Sequence, residues 1–280
     1  MKVLPFNIIK SKRDSLILQE DKERVFYSQL HQHKEIQISL ILNGKGSLVV
    51  GNTVNRYEEG NLLVFGSNLP HVFKSDENVR EDSHMITVFF TKESFGIGFF
   101  EIEELKRLNS FFEKAENGFK IAASKRIINQ FEILFKASKM DRFIGFLSLL
   151  KLLKSIKSET LSSFVSLKKF SDNEGRRMNA VYNYTLSNFQ KAITLDSVSE
   201  EAAMTKNAFC KYFKKRTNKT YTTFLNELRI EKACSLLQTK TEYTIAEIAE
   251  KSGFQNISNF NRKFKQFKNV SPRVYRKGFL

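Results

Sequence analysis

The sequence predicts an α+β chain of two parts: a small antiparallel β-barrel with helices following it, then an all-α segment holding two helix-turn-helix units. Three observations carry this. From about Val25 to Thr91 the pattern changes every few residues, with turn signals between short apolar runs. From about Asn173 onward apolar residues recur at helical spacing behind capping residues. The charge is also divided. Residues 1–119 hold 15 Lys and Arg against 17 Asp and Glu, whereas residues 120–280 hold 31 against 13, which together give the chain its net +16. A basic half with a sequence pI near 9.7 for the whole points to a polyanionic partner, the bland alternative being a lysine-rich solvated surface.

In the first part, Ile36, Ile38, Leu40 and Leu42 alternate with Gln37, Ser39 and Asn43, the period of a half-buried strand. Asn43-Gly44 supplies a hairpin turn, since both residues tolerate positive φ. Leu48-Val49-Val50 precedes a second turn at Gly51-Asn52. Gly60 leads into the run Leu62 to Phe65, and Met85 to Phe90 is a last apolar strand.

Three histidines punctuate these strands: His31 and His33 in the frame HQH, and His71 in NLPH, with Gly60 ahead of it. This resembles the two-motif pattern of cupin barrels, so the domain is expected to be cupin-like. In metal-binding cupins a glutamate follows HxH four residues later, and here that position is Gln37, a neutral and poor ligand. Imidazoles suit many divalent ions, yet no metal and no cofactor is assigned. His31, His33, Gln37 and His71 are read as the polar lining of an effector pocket, or as histidines buried with hydrogen bonds. His84 has no frame and is read as structural.

Helical spacing returns from about Ser94 to Lys157. Leu105, Leu108, Phe111 and Phe112 form one stripe. Ile127, Ile128, Phe131, Leu134 and Phe135 form a second. Phe143, Phe146, Leu147, Leu150 and Leu153 form a third, with Lys151 and Lys154 off it. The segment from Ser158 to about Asn173, rich in Ser and Lys, reads as the interdomain linker.

The second part opens with Ser171 and Glu174 as a capping box, followed by Met178, Val181, Tyr182, Thr185, Leu186 and Phe189 on one helical face. Thr194 caps a short helix running through Ala202. The segment from Met204 to Lys215 buries Phe209, Tyr212 and Phe213. Thr244 and Glu247 form another capping box, Ile245, Ile248 and Ala249 make an apolar face, and Gly253 leaves the helix through a left-handed turn. A further helix from about Ser258 buries Phe260 and Phe264, with Phe267 beside them, and Ser271-Pro272 closes the unit.

These residues resemble the C-terminal signature of the AraC/XylS transcription regulators: Gly253-Phe254, Asn259-Phe260, Arg262-Lys263-Phe264-Lys265, Ser271-Pro272 and Tyr275-Arg276. Arg229, Ala233 and Leu236-Leu237 match the family's connecting helix, and Phe209–Lys214 echoes Phe260–Lys265, so the resemblance covers about residues 173–280. Two departures stand out: Ala203 and Asn218 replace glycines usual in the first unit. At a positive φ, Ala203 costs on the order of 1 kcal/mol, while Asn is milder.

The resemblance implies a regulator rather than an enzyme, with double-stranded DNA as partner. By helical phase the outward positions of the first recognition helix are Lys206, Asn207, Cys210 and Lys211, and those of the second are Ile257, Ser258, Asn261 and Arg262. These match the family's base-contacting positions. Arg262 suits guanine, Asn207 and Asn261 suit adenine, Ile257 suits a thymine methyl, and Cys210 has only a steric role. Lys214, Lys215, Lys265 and Arg273 are expected on phosphate.

A cupin-like sensor is a common N-terminal partner of this DNA-binding unit. The expected division is therefore a sensor barrel at 1–95, a helical dimerisation segment at 96–157 with the third stripe as its candidate dimer helix, a linker at 158–172 and the DNA-binding domain at 173–280. A small-molecule effector, a homodimer and a contact with RNA polymerase are implied with it. Two rivals stay open: a metal-dependent cupin enzyme fused to DNA-binding heads, and a constitutive regulator whose barrel only dimerises. Cys210 and Cys234 have no metal spacing around them and are expected as free thiols in a reducing compartment. No secretion signal is read at the N-terminus, and the apolar run from Phe143 to Leu150 is far short of the ~20 residues of a membrane span. A cytoplasmic protein is expected.

Overall fold

The computed structural model describes residues 8, 14–76, 82–164, 172–240 and 242–278. The chain divides into two compact units, one of residues 1–51 and 55–172 and the other of residues 173–280 together with 52–54. Ser171, the expected helix cap, lies outside the described residues, as do residues 165–170 of the stretch read as a linker.

Among the described residues the first unit is built on nine strands: β1 (Ile17–Glu23), β2 (Ile36–Asn43), β3 (Gly46–Val50), β4 (Thr53–Tyr57), β5 (Asn61–Phe65), β6 (His71–Ser75), β7 (Ser83–Phe90), β8 (Phe119–Ala122) and β9 (Glu159–Thr160). They form a six-stranded sheet in the order β1-β7-β2-β5-β8-β9 and a three-stranded sheet in the order β4-β3-β6. The expected barrel is therefore not closed: among the described residues it is two sheets facing one another. Between them lie Phe26, Ile41, Leu48, Val50, Tyr57, Leu63, Phe65, Phe73 and Met85.

Two of the expected turns have different outcomes. Gly51-Asn52 joins the neighbouring strands β3 and β4, with Gly51 at φ 55°. Asn43-Gly44 is not a hairpin, because β2 and β3 belong to different sheets. It is a corner at which Gly44 (φ 109°) donates its N–H to Asn43 Oδ1 over 2.9 Å. The alternation along β2 also has an unexpected meaning. Gln37 and Ser39 are as buried as Ile38 and Leu40, since the polar side of the strand faces the inter-sheet space rather than water.

The other face of the six-stranded sheet is covered by α1 (Asn109–Glu116), α2 (Lys125–Lys136) and α3 (Lys139–Ser155). The three expected apolar stripes build this second core. Phe111 and Phe112 of α1, Ile127, Phe131 and Leu134 of α2, and Phe146, Leu150 and Leu153 of α3 pack with Ile38, Leu40, Val64 and Val88. Phe146, Leu150 and Leu153 are fully buried within their own unit. These residues of the third stripe are core, which corrects their reading as a dimer surface. Two further corrections concern strands. Residues 119–122, expected to be helical, form β8 and pair with β5 from Asn61↔Ala122 to Val64↔Phe119. Glu159 and Thr160, expected in a linker, pair with β8, and Leu161 behind them is buried.

Among the described residues of 173–280 every regular element is a helix: α4 (Asp172–Asn188), α5 (Leu195–Glu201), α6 (Lys206–Thr217), α7 (Tyr221–Thr239), α8 (Ile245–Lys251), α9 (Ile257–Lys268) and α10 (Pro272–Lys277). The expected caps at Thr194 and Thr244 both form full capping boxes, with Ser197 and Glu247 as the returning partners. No helix runs through Ser271-Pro272, as expected, and the dipeptide also starts one. The α9 helix has already ended at Asn269 (φ 60°), and Ser271 caps α10 with Pro272 in its first turn, where a missing N–H costs nothing.

Two aromatic cores share α7. Tyr221 and Phe224 at its start meet Tyr182 of α4 and Phe209 and Phe213 of α6, and Tyr221 Oη lies 2.8 Å from the Thr185 hydroxyl. Burial pushes the Tyr221 phenol up to about 12. Ile230, Ala233, Cys234 and Leu237 further along meet Ile248 and Ala249 of α8 and Phe260 and Phe264 of α9. Both cysteines are free thiols. Cys234 is buried, which pushes its pKa up to about 12, and Cys210 is half-buried.

Candidate functional site

The two helix-turn-helix units are built to one plan. In the first, the N–H of Ala203 donates to Glu200 O over 2.8 Å and that of Met204 to Ser199 O over 2.9 Å. In the second, Gly253 donates to Glu250 O over 2.8 Å and Phe254 to Ala249 O over 2.9 Å. Each pair is a Schellman ending, which needs a left-handed residue at its first donor. Gly253 takes φ 92° freely, whereas Ala203 is held at φ 49°. Asn218, the other departure from glycine, ends α6 at φ 54°. The helix after each turn is capped by a residue not singled out from sequence. Thr205 Oγ1 accepts from Ala208 N–H at the start of α6, and Asn256 Oδ1 accepts from Asn259 N–H over 3.0 Å at the start of α9. Their signal was present, since Thr and Asn are strong helix-start residues.

With Phe209 and Phe213 of α6 turned inward, Lys206, Asn207, Lys211, Lys214 and Lys215 are exposed and Cys210 is half-buried. With Phe260 and Phe264 of α9 inward, Ile257, Ser258, Asn261, Arg262 and Lys265 are exposed, and so is Arg273 on α10. Two neighbours of these side chains were not anticipated. Arg262 donates through a guanidinium N–H to Asn259 Oδ1 over 2.8 Å, one turn back. Lys206 Nζ lies 2.8 Å from Asp196 Oδ1 of α5. Both pairs are exposed, so each orients a side chain more than it stabilises the fold.

The heads are braced against each other by backbone carbonyls. From α7, Arg229 donates to Phe189 O over 2.8 Å and to Lys191 O over 2.9 Å, in the loop between α4 and α5. Gln190 in that loop donates to Lys251 O at the end of α8 over 2.8 Å. Within the first head, the buried Arg216 pairs with the Glu174 carboxylate of α4, and Tyr212 donates to Glu174 O over 2.7 Å. Glu174 thus has a cross-helix partner besides any role at its own helix start.

A second constellation lies in the first unit, where the structure gathers His31, His33, His71 and Gln37. One ring nitrogen from each histidine lies within 4.8 Å of the others. Paired backbone hydrogen bonds between His31 and His71, 3.1 and 3.0 Å long, fix the HQH segment beside β6, and Asn68 N–H donates to His33 O over 2.7 Å. Each Nδ1–H donates to a backbone carbonyl: His31 to Gln29 O at 2.8 Å, His33 to Glu35 O at 2.9 Å and His71 to Leu69 O at 2.9 Å. A carbonyl only accepts, so the proton of each neutral ring sits on Nδ1 and the lone pair on Nε2. Burial lowers all three pKa values, that of His31 to about 3. The rings are neutral at physiological pH. Gln37 continues the cluster through Ser39 Oγ, 2.8 Å away, to Thr87 Oγ1 at another 2.8 Å. His84 stands apart and pairs with Glu20.

Comparison with known proteins bears on the second unit. Residues 198–278 match the helix-turn-helix domain family. Over 104 residues the chain is 31% identical to the HTH-type transcriptional regulator YdeC of Bacillus subtilis (strain 168), covering 37% of this chain and 35% of that one. Over 113 residues it is 30% identical to the HTH-type transcriptional activator RhaS of Escherichia coli, covering 40% of each chain. It is 32% identical to the C-terminal domain of the two-component response regulator yesN from Fusobacterium nucleatum, over 34% of this chain and 93% of that one, with a TM-score of 0.33. The matched stretch spans less than half the length of YdeC or RhaS. Among the described residues, no helix is long and apolar enough to cross a membrane.

Proposed function

We propose that the chain is a sequence-specific DNA-binding transcription regulator of the AraC type, a reading supported by the match of residues 198–278 to a helix-turn-helix domain family. The observation that carries this is the matched pair of heads. Two capped helices of the same length follow two turns of the same hydrogen bonding, each shows a polar, basic outer face, and α7 runs through the cores of both. A helix fits the major groove, where base edges are distinguishable. In this reading α6 and α9 enter successive grooves about 34 Å apart. Asn207, Lys211, Asn261 and Arg262 face base edges, with Lys206, Cys210, Ile257 and Ser258 beside them. Lys214, Lys215, Lys265 and Arg273 hold phosphate.

The first unit is the sensor, with the gathered His31, His33, Gln37 and His71 as the place where an effector is felt. The chain acts as a homodimer that contacts RNA polymerase at its promoters. Dimerisation uses what α2 and α3 leave in the open, Ile133, Met140 and Ile144, each more than half exposed. An effector shifts such a regulator only by its differential affinity for two states.

The test is selection of genomic fragments with the purified full chain at a stated near-physiological salt, repeated with Arg262→Ala. A motif of about two helical turns that loses about 1–3 kcal/mol of discrimination at one base position in the variant supports the reading. Equal binding of all fragments, with only a steep salt dependence, sinks it.

A further inference from the structure

We propose that the two heads divide recognition unequally: α9 reads base sequence, with Arg262 as its principal reader and Asn259 as the residue that positions it, while α6 grips phosphate and distinguishes one base pair at most. The inference rests on the DNA-binding reading above and goes beyond it. The heads share one plan of turn, cap and buried phenylalanines, and they differ in what each shows outward.

The shared plan lets the two helices be compared place by place. Phe209 and Phe213 correspond to Phe260 and Phe264, and the left-handed end residues Asn218 and Asn269 correspond in turn. On that register Lys206, Asn207, Cys210, Lys211, Lys214 and Lys215 of α6 stand where α9 has Ile257, Ser258, Asn261, Arg262, Lys265 and Gln266. Four of the six on α6 are lysines and one is a thiol, whereas two of the six on α9 are cations. A lysine ammonium is a compact, hydrated point charge on a flexible stem. It meets a phosphate from many directions but matches no planar base edge. On α6 only Asn207 offers an amide to adenine. On α9 a guanidinium fork, an amide and a branched apolar side chain each match a different feature of a base edge.

Two local contacts sharpen the difference. The 2.8 Å hydrogen bond to Asn259 Oδ1 uses one of the five guanidinium N–H groups of Arg262 and leaves four for guanine O6 and N7. A fork already oriented loses less rotamer freedom on docking. The corresponding residue on α6 is Ala208, which has no polar side-chain atom with which to orient Lys211. At the start of α6, Lys206 is partly neutralised by the Asp196 carboxylate, so the first head sets an anion beside its own reading face. In the second head Ala246 follows the Thr244 cap by two residues, as Asp196 follows Thr194, and it lines one groove with Ile257. Neither Ala246 nor Ile257 carries a charge to desolvate.

The test uses the full chain and an operator selected from genomic fragments. Each base pair is substituted in turn, and relative affinities are measured by competition for the parent and its variants. Discrimination lost in Arg262→Ala locates the half of the operator under α9. In that half at least two positions should cost about tenfold or more when changed, and in the other half no more than one position should exceed about threefold. Asn259→Ala should flatten the Arg262 position by about threefold or more at an unchanged melting temperature, and Asn259→Asp, which keeps the acceptor oxygen, should restore it. Asp196→Asn should tighten binding to all sequences alike. The double variant Lys214→Gln/Lys215→Gln should lower the slope of log K against log salt by about 2 and leave the base profile unaltered. Equal discrimination in both halves, or an Arg262→Ala profile matching the parent's, overturns the division while selection of a defined operator keeps the regulator reading standing. An Asn259→Ala profile identical to the parent's overturns the positioning role. Uniform binding of all fragments sinks the division and the regulator reading together.

Discussion

The carbonyl oxygen of Phe189 stands 2.4 Å from where a β-carbon on Gly253 would lie, and Arg229 donates to that same oxygen over 2.8 Å. The glycine thus serves two ends. It supplies the left-handed turn of the second head, and it leaves room for the loop of the first head to reach the α7 arginine. The two reading heads are joined by a close backbone approach in addition to the shared helix.

Gly253→Ala is expected to destabilise the second unit by about 2 kcal/mol or more, because a positive φ and a backbone clash add. The midpoint and slope of urea unfolding measure it. A loss below about 0.5 kcal/mol would mean that the loop yields freely and the brace is unimportant.

Ala203 occupies the same turn position in the first head but is exposed and strained at φ 49°. Ala203→Gly should therefore stabilise the unit by about 1 kcal/mol, relief of backbone strain exceeding the added chain entropy. A neutral or lower melting temperature counts against strain at this residue.

Lys265 lies on the exposed side of α9 near its C-terminal end, with no described carboxylate pairing to it. Lys265→Gln should weaken binding to cognate and random DNA alike and lower the slope of log K against log salt by about 1. A change confined to one base position would instead make Lys265 a base reader.

Glu247 closes the second capping box, accepting from the backbone N–H and the hydroxyl of Thr244 at 2.7 and 2.8 Å. These bonds hold its carboxylate below the usual value of 4.5. Its contribution to stability is thus present above pH 4.5 and is lost as pH falls through the lower folded value. The acid limb of stability against pH should be flatter in Glu247→Gln than in the parent. Parallel acid limbs would show that the bond to the backbone carries no charge dependence.

The helical unit was largely legible in the sequence because its signals are local. Thr194, Thr244 and Gly253 announce helix ends within four residues, and the Phe209/Phe213 and Phe260/Phe264 pairs announce buried faces. The sheet unit was less so, because strand partners are chosen at a distance. Nothing within a few residues of Asn43-Gly44 says that β2 and β3 part into different sheets, nor that residues 119–122 leave a helical stretch to pair with β5. The histidine frames indicated that His31, His33 and His71 act together. What they left open was the direction of each Nδ1–H, which depends on the carbonyls of Gln29, Glu35 and Leu69 and hence on loop conformation.

The pairing of β1 with β7 separates the two units in time as well as in architecture. Its tightest match, Glu23 with Ser83, brings together residues about 60 positions apart before that ladder forms. In the helical unit α5 packs on α6, α6 on α7, α7 on α8 and α8 on α9, each on its successor in the chain. On dilution from denaturant the far-ultraviolet helical signal should recover in a fast phase and sheet pairing in a slower one. A nascent chain emerges in the opposite order, slow unit first. The sheet domain would still be searching for its first strand's partner as the reading heads leave the ribosome, already able to fold.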